Sequence, residues 1–320
     1  MARSDLLINL VKASSRGDKS LFLKTLEAII ADERQKHHHV LADRLTEYSK
    51  LNGSLNVQGL SVPSDNSPNL FFENIPKRSF DDLLLPANVS QKCKELVEEQ
   101  QRCDLLRSHN LEPRHRILLI GPPGNGKTSL AEAISNALMV PFIVVRYEGI
   151  VGSYLGETSA RLRKVFDYAR TRRCVLFFDE FDTLGKERGD IHETGEIKRV
   201  VSSLLLQIDN LPSHVVVVTA TNHPELLDRA VWRRFQIKMM LPLPSEEMLM
   251  QLVERFEERT GVNSPLSRRA FIEKLKGTSF SEAEDFFLDV LRKSVLGCHE
   301  NDLKTLFDDR LKMWQARISV

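Results

Sequence analysis

The sequence predicts an α/β fold: a parallel sheet with helices on both faces, followed by a small all-helical domain and preceded by a helical hairpin. Three observations predict it. From Arg116 onward, short apolar runs ("RILLI", "PFIVVRY", "CVLFFDE", "HVVVVTATN") recur, each followed by a helical stretch. Strands apolar on both faces that alternate with helices build parallel sheets covered by helix layers. After "IKMMLPLP" the strand runs stop and helical stripes continue alone, and the first fifty residues also carry helical spacing only.

The bulk numbers fit this. The chain has 320 residues, 42% hydrophobic and 28% charged, with a formal net charge of +1. That is room for one large and one smaller domain. A near-zero net charge does not mark the whole chain as a nucleic-acid binder. The N-terminal apolar run is too short and too interrupted for a secretory signal, and no run of about eighteen apolar residues predicts a membrane span. The four cysteines, Cys93, Cys103, Cys174 and Cys298, form no CxxC pair. They read as free thiols in a reducing compartment, and the expected location is cytoplasmic.

Taken in order, residues 1–52 form the hairpin. "DLLINLVKAS" is a short striped segment. A longer one runs from Asp18, a plausible N-cap, with Leu26, Ile29, Ile30, Leu41, Leu45 and Tyr48 at helical spacing. His37, His38 and His39 are adjacent, so on a helix they point in different directions and cannot converge on one metal. Residues 53–76, rich in Gly, Ser, Asn and Pro, read as a flexible linker, with order resuming near "FFENIPKRSFDDLLLP". Residues 77–243 are the α/β domain. Residues 244–320 contain four helical stretches, "SEEMLMQLVERFEERTG", "SRRAFIEKLKG", "SEAEDFFLDVLRKSVLG" and "NDLKTLFDDRLKMWQ". Three of them begin at a serine, a good N-cap.

The chemistry lies in the α/β part. "GPPGNGKT" (Gly121, Pro122, Pro123, Gly124, Asn125, Gly126, Lys127, Thr128) follows the strand "RILLI" and opens a helix at Ser129. This is the phosphate-binding G-x-x-x-x-G-K-[ST] loop in the strand–loop–helix context it requires. Its glycines let backbone N–H groups wrap phosphates, and the helix N-terminus adds positive partial charge. Lys127 can reach the β- and γ-phosphates of ATP, and Thr128 can ligate Mg²⁺. "VLFFDE" is an apolar strand ending in Asp179, suited to hold Mg²⁺, and Glu180, suited to orient and deprotonate a water. Asn222, ending "HVVVVTATN", can hydrogen-bond both a γ-phosphate and that water. Arg233 and Arg234 precede the last strand, and guanidinium groups of this kind stabilise a transferring phosphate, in some cases from a neighbouring subunit.

Together the phosphate-binding loop, "VLFFDE", Asn222, "WRRF" and the following helical lid resemble the AAA+ ATPases, over about Phe80 to Leu296. The resemblance implies a P-loop NTPase sheet, ATP hydrolysis with Mg²⁺, and a ring, usually a hexamer. By that likeness Arg234 is the finger reaching into the next protomer, Arg233 its companion, and Asn222 the first sensor. "SFDDLLLP" resembles the loop at the adenine edge. "GTSFSEAEDFFLD" is similar to the lid segment G-x-S-G-A-D-[LI] of the AAA subgroup proper, with Ser281 in place of the second glycine and Glu284 in place of the acid. In such rings the loop after the second strand carries an aromatic, an aliphatic residue and a glycine facing the pore. Tyr154, Leu155 and Gly156 match that order. An aromatic there can grip an extended chain without reading its sequence. A second candidate pore segment, "GKERGDIHETGEIKR", carries both charge signs.

Three uses of the hydrolysis compete: remodelling of a polypeptide, loading or moving nucleic acid, and an ATP-gated scaffold that regulates a partner. Tyr154 without an adjacent arginine cluster favours the polypeptide over nucleic acid. Neither HExxH nor GxSxG occurs, so any peptidase is a separate chain. The layout resembles small bacterial AAA proteins that accompany a subtilisin-like serine protease.

Overall fold

A computed structural model describes residues 6, 19–36, 38, 41–43, 45–46, 70–146, 155–182, 194–260 and 268–296. Helix α1 spans Lys19–Gln35. Contrary to one continuous helix from Asp18, it stops there: residue 36 is a turn and 38 is not helical, and the next helical residues among those described are 41–43. His38 therefore lies beyond the helix end, with its Nδ1 2.6 Å from Glu33 Oε2 and no second histidine placed beside it among the described residues.

The sheet has six strands: β1 (Phe71–Asn74), β2 (Arg116–Ile120), β3 (Phe142–Val145), β4 (Cys174–Phe178), β5 (Val215–Thr221) and β6 (Ile237–Met240), in spatial order β1-β3-β4-β5-β2-β6. All neighbours pair in parallel except β1, which runs antiparallel along β3 with Phe71 opposite Val145. Strand β1 lies within the last residues of the 53–76 stretch, at "FFEN", where order was expected to resume, and it pairs with β3 along its length.

Two apolar layers explain why the strands are apolar throughout. On β2, Leu118 and Ile120 face one layer and Ile117 and Leu119 the other, as period-two geometry requires. The first layer is closed by α5 (Leu155–Arg170) and α6 (Thr194–Asp209), through Leu162, Val165, Phe166, Leu204 and Ile208. The second is closed by α2 (Ala87–Gln101) and α4 (Lys127–Leu138), through Val89, Leu96, Leu130 and Ile134. Each fully buried Leu, Ile or Phe contributes roughly 1.5–3 kcal/mol, so this double-sided core fixes the strand ends. Short α3 (Cys103–Ser108) follows α2 and α7 (Arg229–Arg234) precedes β6.

The lid has its own core. Helices α8 (Glu246–Thr260), α9 (Arg268–Leu275) and α10 (Phe280–Leu296) bury Leu249, Val253, Phe256, Phe271, Phe286 and Phe287 together. Ser245 caps α8, accepting from Met248 N at 3.3 Å. For α10 the cap is Ser279 rather than Ser281. Ser279 N donates to Glu282 Oε2 at 2.7 Å and Glu282 N returns to Ser279 Oγ at 3.3 Å, a reciprocal capping pair. The fourth expected lid helix lies outside the described residues, as do most of "DLLINLVKAS" and Cys298. Cys93 and Cys174 are buried free thiols, each pushed up to about 12 by desolvation. Such thiols are poor nucleophiles.

Candidate functional site

Strand β5 lies between β2 and β4, so the chain segments leaving these three strands meet at one edge of the sheet. Crevices at the carboxyl ends of parallel strands are where α/β sheets bind ligands. Here a cavity of about 1170 Å³ opens, lined by Pro123, Gly124, Asn125, Gly126, Lys127, Thr128, Ser129, Asp179, Glu180 and Asn222.

The loop after β2 owes its path to glycine. A β-carbon on Gly121 would lie 2.1 Å from the carbonyl oxygen of Leu241, a backbone atom that cannot move aside. Gly126 has φ +78° and leads directly into α4. Lys127 begins that helix with only 7% of its surface exposed, and its ammonium donates to Gly121 O (2.7 Å), Pro122 O (2.9 Å) and Asn222 Oδ1 (2.5 Å). Desolvation lowers its pKa, while Asp179 and Asp182 pull it back up. Thr128 Oγ1 donates to Asp179 Oδ2 at 3.0 Å, joining the ends of β2 and β4. Glu180 sits at φ +46°, an uncommon conformation for a residue with a side chain, and its N–H donates to Asp179 Oδ1 at 2.9 Å. That conformation costs about 1–2 kcal/mol, and such strain clusters at functional sites.

A family model described as "ATPase family associated with various cellular activities (AAA)" matches residues 117–243. An uncharacterised AAA family ATPase, y4kL, of Sinorhizobium fredii is 33% identical over 333 aligned residues, covering 100% of this chain and 99% of that protein. The chain belongs to the AAA family of ATPases. Other relatives are longer. A putative 26S proteasome regulatory subunit homologue of Methanocaldococcus jannaschii is 28% identical over 69% of this chain and 60% of that protein. A cell division cycle protein 48 homologue of Archaeoglobus fulgidus is 32% identical over 66% of this chain and 30% of that protein.

In this AAA ATPase the cavity continues past the glycine-rich loop. "SFDDLLLP" supplies Asp81, Asp82, Leu83, Leu84 and Leu85, and the lid supplies Leu252, Arg255, Phe256, Phe287 and Leu288. Ser281 and Glu284 of the lid segment also line it. The sequence reading missed Asp182, which is 2% exposed. It accepts from Thr221 Oγ1 at 2.9 Å and from Asn222 N at 3.4 Å, holding the end of β5 against the segment after β4. Its signal was the third acid in "DEFD".

The two arginines differ. Arg234 donates through Nε to Asp209 Oδ2 at 2.7 Å, and Asp209 Oδ1 accepts from Arg116 at 2.7 Å. Arg233 is exposed, with no ion pair among the described residues. Neither lines the cavity of its own chain. Tyr154 lies outside the described residues, as do 185–193 of the second pore segment; Leu155 is the first residue of α5, and its side chain is not described. No helix among the described residues is long and apolar enough to cross a membrane.

Proposed function

We propose that this AAA ATPase hydrolyses Mg²⁺-ATP at the ends of β2, β4 and β5, in a ring of its own copies, a hexamer, and uses the turnover to remodel a polypeptide. The observation that carries the reading is the convergence of Lys127, Thr128, Asp179, Glu180 and Asn222 on one cavity.

The donor set fits Mg²⁺. Thr128 Oγ1 and Asp179 Oδ2 are two hard oxygens 3.0 Å apart, and this ion commonly takes one or two protein ligands plus phosphate oxygens and water. When bound, it neutralises charge developing on the phosphates. Lys127 exchanges its carbonyl acceptors for β- and γ-phosphate oxygens, and its burial strengthens that attraction. The glycine-rich backbone and Ser129, next to Thr128 on α4, complete the phosphate cradle. Glu180 takes the proton of the attacking water, and Asn222 positions that water against the γ-phosphate. Arg234, with Arg233 as companion, stabilises the transferring phosphoryl group in the neighbouring subunit, which requires Arg234 to leave or share Asp209 on assembly.

Residues 77–243 and 244–320 act as motor and lid, while 1–52, on the linker that follows, is the handle for a substrate or partner. Tyr154 and Leu155 grip the polypeptide in the pore. A separately encoded subtilisin-like serine protease is the proposed partner in a cytoplasmic setting, tested by co-purification with the tagged ATPase. Stimulated ATPase is the wider test. An unfolded protein should raise turnover in wild type and not in Tyr154→Ala. Stimulation by single-stranded DNA alone would replace the remodelling reading with a loader, and stimulation by neither would replace it with an ATP-gated scaffold.

A further inference from the structure

Residues 77–79 lie between β1 and the single 3-10 turn Phe80–Asp82, in no regular element. Their backbone groups therefore need partners from elsewhere. Helix α4 supplies them. Lys77 N donates to Glu132 Oε1 at 2.9 Å, and Arg78 N donates to the same oxygen at 3.4 Å. Arg78 O accepts from Asn136 Nδ2 at 2.6 Å, and Arg78 Nε lies 3.8 Å from Glu132 Oε2. One helix thus holds both the N–H and the carbonyl of Arg78. The turn that follows is closed on itself, with Ser79 N donating to Asp82 Oδ2 at 2.6 Å. Phe80, Leu83 and Leu85 then pack onto the apolar layer shared by α2 and α4.

The place of these contacts on α4 matters. Thr128, Glu132 and Asn136 are spaced four apart, so they form one stripe along the helix. At about 1.5 Å per residue, Glu132 stands about 6 Å and Asn136 about 12 Å beyond Thr128. The start of the helix, at Lys127 and Thr128, lines the cavity beside Asp179. The segment gripped further along it, Arg78 and 81–85, lines the same cavity with Leu252, Phe256 and Phe287 of the lid. Lys127 suits the phosphates. The leucine and phenylalanine side chains suit the base, the flat uncharged part of a nucleotide. Glu132 and Asn136 themselves do not line the cavity.

We propose that Glu132 and Asn136 are positioning residues that seat the base-holding wall of the cavity on the phosphate-binding helix, so that α4 sets the span from phosphate to base. Resting on the nucleotide-site reading above, this assigns part of the preference for a nucleoside triphosphate over a bare polyphosphate to two residues that touch neither.

The test uses the full chain. Glu132→Ala removes the acceptor of two N–H groups, whereas Glu132→Gln keeps a carbonyl oxygen there and loses only the charge. Equilibrium affinities for ATP and for inorganic tripolyphosphate are measured, with steady-state kinetics on ATP. Glu132→Ala should weaken ATP about tenfold, on the scale of one hydrogen bond, and leave tripolyphosphate unchanged. KM should rise by the same factor at nearly constant kcat, as for a group that serves binding alone. Glu132→Gln should recover most of the ATP affinity. Asn136→Ala, which releases Arg78 O, should move the ATP-to-tripolyphosphate ratio in the same direction, and it serves if Glu132→Ala does not fold. Equal weakening of both ligands, unchanged ATP affinity in Glu132→Ala, or Glu132→Gln behaving like Glu132→Ala would overturn the proposal. Lys127→Ala tests the underlying reading separately, since unchanged binding of both ligands there would show that the cavity is not the nucleotide site.

Discussion

Gly124→Ala and Gly126→Ala form a pair in which one term cancels. Both glycines sit at nearly the same φ, +74° and +78°. Each alanine therefore carries a similar left-handed penalty of about 1–2 kcal/mol. Their surroundings differ. A β-carbon at 126 meets nothing within 4 Å, whereas one at 124 lies 2.7 Å from Ser279 Oγ and 3.1 Å from the β-carbons of Ser279 and Ser281. The hydroxyl could rotate away, but it would leave Glu282 and lose the α10 cap. The β-carbons cannot rotate, so the lid helix must shift. Overpacking of this kind costs roughly 1–3 kcal/mol. Thermal unfolding reads it: in a domain of this size Gly124→Ala should melt about 2–10 °C below Gly126→Ala. Limited proteolysis should also cut the lid sooner in Gly124→Ala. Equal melting and equal cleavage would refute the contact between loop and lid as an energetic term.

Two further outcomes follow from other parts of the chain. Burial raises the pKa of Glu99, but hydrogen bonds from Arg114 and its charge overcome this and leave it below the ordinary 4.5. A carboxylate depressed in the folded state stabilises above its unfolded pKa and loses that contribution as pH falls through its folded pKa. The stability gap between wild type and Glu99→Gln should be constant above pH 4.5 and close below it, and a gap unchanged in stronger acid would contradict the pair. Arg234→Ala and Glu180→Gln should each be inactive alone, yet mixing them should restore part of the turnover, because a site with Glu180 then meets a neighbour's intact arginine. No recovery in co-assembled rings would count against catalysis between subunits.

The α/β class and the site were legible because their signals are local. Apolar strands, a spaced glycine loop and acids at a strand end each occupy a few consecutive residues. What stayed hidden depends on partners distant in sequence. The strand "FFEN" is recognisable only against β3, and Asp182 only against Thr221 and Asn222. The cap of α10 was displaced by two residues because "SFSEAE" offers two serines, and only the reach of Glu282 back to Ser279 decides between them. The pairing of Arg234 with Asp209 joins residues 25 apart and has no sequence signature.

The central claim is that Glu180 performs proton abstraction in a site that binds ATP through other groups. Equilibrium ATP binding and single-turnover hydrolysis on Glu180→Gln test it together. The account predicts ATP affinity close to wild type and a hydrolysis rate lowered about 10²–10⁴-fold. Hydrolysis at the wild-type rate, or affinity lost in step with activity, would contradict it.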